Sequence, residues 1–125
     1  MTKRCLSYTL SEGEKFKGDL VRYGLMAGLS KIDITRIFCR QMAHAQRAAE
    51  LGYPICLEIE LRQNNPLSEE VVLERVGFTN LETPTQSNWR NLARIYLAPG
   101  CPSEDDLNAT EELIERFGRK RVTGR

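Results

Sequence analysis

Histidine is nearly absent from this sequence: His44 is the only one in 125 residues. A Ser-His or Cys-His catalytic pair would have to use it, and it sits between Ala43 and Ala45. Cysteine is present but scattered. Cys5, Cys39, Cys56 and Cys101 lie 34, 17 and 45 residues apart, so no Cys-x-x-Cys pair offers a metal or redox site. Reduced, mostly buried thiols are expected instead. No stretch approaches the roughly 18 apolar residues of a membrane-spanning helix. The basic start, Met1-Thr2-Lys3-Arg4, has no apolar core behind it of the kind a secretory signal carries. A cytoplasmic protein without a membrane partner is the expectation. No glycine-rich phosphate loop and no dinucleotide fingerprint occurs. The acids Glu69-Glu70 and Glu104-Asp105-Asp106 stand where helices are expected to open, which is a structural role. No enzyme, cofactor or metal is expected.

What is present describes a folded chain of ordinary size. The hydrophobic fraction is 41% and the charged fraction 28%, near globular averages. The net charge is +1, but it is unevenly spread. Residues 1–50 carry nine Lys or Arg against five Asp or Glu, a net of +4; residues 51–100 carry four against six, and residues 101–125 five against six. Excess positive charge in one segment suits a polyanionic partner. It is also common on a solvated surface.

The chain divides by its periodicities. Residues 3–10 alternate: Arg4, Leu6, Tyr8 and Leu10 point one way, Lys3, Cys5, Ser7 and Thr9 the other, as in a half-buried strand. Ser11-Glu12-Gly13-Glu14 reads as a capping box opening a helix over about 12–26, with Phe16, Leu20, Tyr23, Gly24 and Ala27 on its apolar face. Gly28 suits the left-handed position after that helix. Ser30 caps a second helix over 31–51, striped by Ile34, Ile37, Phe38, Met42, Ala45 and Ala49. Arg36, Arg40, His44 and Arg47 lie near another face. A strand is expected over 55–62, then helices over 68–76, 87–97 and 103–118, with 119–125 fraying.

Strand, helix, short turn and helix within about 45 residues, with Gly28-Leu29-Ser30 before the second helix, resemble the ribbon-helix-helix family of DNA-binding regulators, the Arc and MetJ type. The resemblance implies an α+β, mostly helical fold: residues 1–52 as a ribbon-helix-helix dimer, 53–125 as a C-terminal extension of one strand and three helices. It implies a homodimer whose two strands pair as an antiparallel ribbon in the major groove of double-stranded DNA. Carried over, Lys3, Cys5, Ser7 and Thr9 face the bases, and the helix N-terminus at Ser30 and Lys31 holds a phosphate. Leu6, Tyr8, Leu10, Phe16, Leu20, Ile34 and Phe38 form the dimer core. Cys5, Ser7 and Thr9 are shorter than the side chains usual on that reading face. The family serves as repressors, antitoxins and regulators of plasmid transfer, and the long extension points to a regulator of conjugative transfer.

Two other readings use the same residues. Gly24, Gly28 and Ile34 have the spacing of a helix-turn-helix, in which Lys31, Thr35 and Arg36 would enter the groove. Alternatively, the strands and helices form one α+β adaptor that binds protein rather than DNA. Trp89 and the basic tail 116–125 are further candidate contacts, beside plainer roles as a core anchor and a solubilising tail.

Overall fold

The computed structural model describes residues 2–63, 72–81, 90–91 and 103–123. The elements are β1 (Thr2–Thr9), a 3-10 turn (Leu10–Glu12), α1 (Gly13–Met26), α2 (Lys31–Glu50), β2 (Ile55–Gln63), β3 (Val72–Asn80), β4 (Arg90–Asn91) and α3 (Glu104–Thr123). The strands form one antiparallel sheet in the order β1-β2-β3-β4. The fold class is α+β.

Alternation along β1 and β2 gives the sheet one apolar face. Tyr8, Leu57, Ile59, Leu61, Leu73, Val76 and Phe78 are buried there against Phe16, Leu20 and Val21 of α1 and Ile34, Ile37 and Ala45 of α2. Burying a side chain of this size is worth roughly 1.5–3 kcal/mol, so this layer is the main source of stability. The residues expected to make a dimer core serve a single chain. Tyr8, Phe16, Leu20 and Ile34 are buried, and Leu6, Leu10 and Phe38 pack half-buried against them. Residues on both sides of position 52 share this core.

α1 ends as Gly28 predicts, and α2 ends in the same way at Gly52. The amide of Leu29 donates to the Gly24 carbonyl at 2.9 Å and that of Gly28 to Leu25 at 3.0 Å, with Gly28 at φ +84°. The amides of Tyr53 and Gly52 repeat the pattern on Ala48 and Ala49, with Gly52 at φ +93°. A residue with a Cβ is strained at such φ values, and the close helix-helix turn depends on them. Ser30 caps α2 as expected, its Oγ accepting from the amide of Asp33 at 3.2 Å.

Several expectations are corrected. The cap at the start of the first helix is set two residues earlier than the Ser11-Glu14 box. The Thr9 amide donates to Glu12 Oε1 at 2.9 Å, and the Thr9 hydroxyl lies 3.2 Å from the same oxygen. The helix expected over 68–76 is replaced, from Val72 on, by β3. Its period of two is broken by a bulge: Ile59 faces Val76 but Leu61 faces Leu73, so Glu74 and Arg75 stand opposite Glu60 alone. The resulting three-residue gap between Leu73 and Val76 imitates a helical spacing. Arg90 and Asn91, inside the helix expected over 87–97, pair with Val76 and Arg75 as β4; the rest of that segment, Trp89 included, lies outside the described residues. α3 continues past 118 to Thr123.

α3 packs on α1 and α2, away from the sheet. Thr35 Oγ1 of α2 lies 2.7 Å from Thr110 Oγ1 of α3, both residues fully buried. Each hydroxyl also reaches the carbonyl four residues earlier, Lys31 at 2.8 Å and Asp106 at 2.9 Å. Two protons thus serve three short hydrogen-bonding approaches, which ties the helices without leaving either oxygen unpartnered. Lys17 of α1 is buried beside this junction, its ammonium 4.9 Å from the centre of the Phe38 ring.

Candidate functional site

The outer face of the sheet carries Lys3, Cys5, Ser7 and Thr9, all exposed as their alternation requires. The pairing places Glu58 beside Ser7 and Glu60 beside Cys5. Glu60 accepts two hydrogen bonds from Arg75, from Nε at 3.2 Å and from the terminal nitrogen at 2.7 Å, and lies 3.7 Å from Lys3 Nζ. The Arg75 hydrogen bonds hold its carboxyl below the ordinary range, partly offset by burial and helped by the charges of Arg75 and Lys3. Lys3 also lies 3.7 Å from Glu74. The Cys5 thiol donates to Glu58 at 3.1 Å. Burial first, then that carboxylate, push the thiol up to about 11. It is therefore protonated at neutral pH and poorly nucleophilic. This face sets Lys3, Arg62 and Arg75 beside Glu58, Glu60 and Glu74, with Lys3 and Arg75 in ion-pair reach of Glu60 and Lys3 also of Glu74. The strand paired with β1 thus brings carboxylates where DNA would bring phosphates.

The second expected site, the N-terminus of α2, is shared with α3. Lys31 Nζ lies 3.3 Å from Glu111, in a pair that is largely solvated. Thr35, which a helix-turn-helix would turn into the groove, is buried against Thr110. Cys39 follows on the same side of α2, its thiol raised by burial and then by Asp106. α3 therefore covers the flank of α2 that carries 31, 35 and 39.

The opposite flank is open. At 100° per residue, Arg36, Arg40, His44 and Arg47 fall within one quadrant of α2. Arg36 and Arg40 are half-buried; His44 and Arg47 are exposed. None of the four forms an ion pair among the described residues. Arg36 Nε is buried and has no hydrogen-bond partner there. At 1.5 Å per residue the row is about 16 Å long. Its C-terminal end borders an open cleft of about 270 Å³, walled by Gln41, His44 and Arg47 on one side and by Leu51 and Tyr53 on another, with Ala48 and Phe78 also lining it.

Sequence reasoning placed Lys3, Cys5, Ser7 and Thr9 together on one face, and Ser30 beside Lys31. It missed the partners that this face acquires from β2 and β3, because register decides them. It also passed over Gln41. Gln41 had a readable signal: a polar residue standing within the apolar stripe of Ile37, Phe38 and Ala45. Among the described residues no group of three or more His, Cys, Asp or Glu side chains could hold a metal, and no helix is long and apolar enough to cross a membrane. No family model, no curated protein and no solved structure matches the chain.

Proposed function

We propose that the chain is a DNA-binding protein of the regulator class that holds double-stranded DNA by its phosphates along the open flank of α2. The observation that carries the reading is the row Arg36, Arg40, His44 and Arg47, which lacks acidic partners among the described residues. Three guanidinium groups and an imidazole share this flank with Asp33 of the first turn, none of them within ion-pair distance of a carboxylate among the described residues, and such a row favours a polyanion that shares its field. Phosphate binding of this kind fixes position and affinity, and leaves sequence preference modest. The net of +4 in residues 1–50 agrees. In this reading Lys3, Cys5, Ser7 and Thr9 are not base-reading residues, because Glu58 and Glu60 stand among them.

Assembly follows from β1. It stands at the end of the strand order, and among the described residues nothing pairs with its outer edge. An eight-residue edge without proline or bulge is a template for another strand. Antiparallel pairing with β1 of a second copy keeps the homodimer and its ribbon, now at the centre of a continuous sheet, and doubles the cationic flank.

The test is the anisotropy of a labelled duplex across a salt series, with light scattering for mass. A dimer near twice 14.3 kDa is expected. Replacing Arg36, Arg40 and Arg47 together by alanine is expected to weaken binding to every sequence and flatten the salt slope by roughly 0.9 for each phosphate no longer neutralised. Lys31→Ala is expected to change little. Duplex affinity unaltered in the triple variant would overturn the reading. A second reading, a protein-binding adaptor, has its own observation: Leu51, Tyr53 and Leu81 are 64%, 45% and 56% exposed where α2 runs into β2 and β3 ends. Absence of duplex binding even at low salt would favour it.

A further inference from the structure

The cleft at the end of the cationic row has a composition that phosphate binding leaves unused. Gln41 lines it and is only 4% exposed. Its carboxamide, at the wall of an open cleft, can meet a ligand with a donor and an acceptor. A carboxamide offers one of each along a single edge, which is the pattern that reads the edge of a nucleobase. Tyr53, nearly half exposed, gives the cleft an aromatic wall, and Phe78, buried, adds a second ring to the lining. His44 and Arg47 belong to both the row and the cleft, so a phosphate held by the row would sit next to the opening. The cleft is slightly smaller than the roughly 300–1,000 Å³ of drug-sized pockets. One ring system suits it better than a large ligand.

We propose that this cleft receives a single unstacked nucleobase, stacked on Tyr53 and hydrogen-bonded by Gln41, so that the protein prefers DNA with a single-stranded segment adjoining the duplex. The inference rests on the reading of α2 as a phosphate-binding flank. It adds to that reading the class of target: a junction between paired and unpaired strands, where a base enters the cleft without the cost of leaving a helix. Cationic grooves next to aromatic platforms bind single strands in this way, with tolerance for sequence because every base has a stacking face. The same base chemistry is carried by a free nucleotide, which the experiment separates.

Anisotropy would be measured on a blunt duplex and on the same duplex with a single-stranded tail of thymidylates. Thymidine 5′-monophosphate would be titrated alone and as a competitor. The expected result is a roughly five-fold or greater gain for the tailed duplex, the lower end of stacking on one aromatic ring. Tyr53→Ala and Gln41→Leu are each expected to reduce that gain and to leave blunt-duplex affinity unchanged, since neither residue belongs to the cationic row. Blunt-duplex binding with no gain from the tail, or a gain that persists in both variants, would overturn the base-binding proposal and leave the duplex reading standing. Failure to bind either duplex would overturn both. A free mononucleotide that binds as tightly as the tail and displaces it would assign the cleft to soluble nucleotide and refute the strand reading.

Discussion

Replacing Gly24 by alanine sets two effects of similar size against each other at the helix pair that presents α2. Alanine is the better helix former by up to roughly 1 kcal/mol, less in a last turn such as this one. The structure opposes the gain. A Cβ on Gly24 would meet Ile34 Cγ1 at 3.0 Å and Cδ1 at 3.2 Å, with Leu29 Cδ1 at 3.5 Å. Attractive carbon–carbon separations lie at about 3.5–4.0 Å, so the two approaches to Ile34 are compressed. Ile34 has no exposed surface through which to move away. Inserting a methyl group into a packed core costs typically about 1–3 kcal/mol. The clash therefore wins, and a net loss of about 0.5–2 kcal/mol is expected from urea unfolding. The cycle with Ile34→Val identifies the cause. Valine lacks Cδ1 and removes the 3.2 Å approach, so the penalty for Gly24→Ala should shrink by at least about 0.5 kcal/mol in that background. A variant more stable than the parent, or an equal penalty in both backgrounds, would refute the reasoning.

Gly28→Ala tests backbone strain separately, because no atom lies within 4 Å of the added Cβ while φ is +84°; a loss of roughly 1–2 kcal/mol is expected from urea unfolding, without coupling to Ile34. Stability should also depend on pH with two signs. Glu12, Glu60 and Asp106 are held below their ordinary range by hydrogen bonds, so their contribution is complete above the usual carboxylate values and is lost on acidification through the depressed ones. Tyr8 is raised, by burial first and then by its hydrogen bond to Asp19. Its contribution is complete below the ordinary phenol value near 10 and declines as the pH rises above it. Thermal unfolding should accordingly show a fall in midpoint above about pH 10 that Tyr8→Phe reduces; an equal alkaline fall in both proteins would refute the assignment.

The extent to which the sequence declared this protein differs from element to element. β1, α1, α2 and β2 were legible because each satisfies its rules locally. Alternation over 3–10 and 55–62, the apolar stripe from Ile34 to Ala45, and glycines at positions 28 and 52 all act within one or two turns of chain. β3 was hidden because the bulge opposite Glu60 replaced a period of two by a gap of three, and the value of that gap depends on which strand lies alongside. The faces of β1 were readable, but not their company. That Tyr8 stands beside Leu57, and Cys5 beside Glu60, is fixed by a register between strands separated by two helices. That register turned a surface of small polar residues into a balanced charge network. The cations of α2 were visible as a row, whereas their freedom was not. α3, from the far end of the chain, had to cover the side bearing Lys31, Thr35 and Cys39 for the side bearing Arg36, Arg40 and Arg47 to remain open. Local chemistry determines which residues form a helix or strand and which of their faces is apolar. Packing between distant segments alone decides which polar groups acquire a partner, because desolvation and charge pairing depend on neighbours in space.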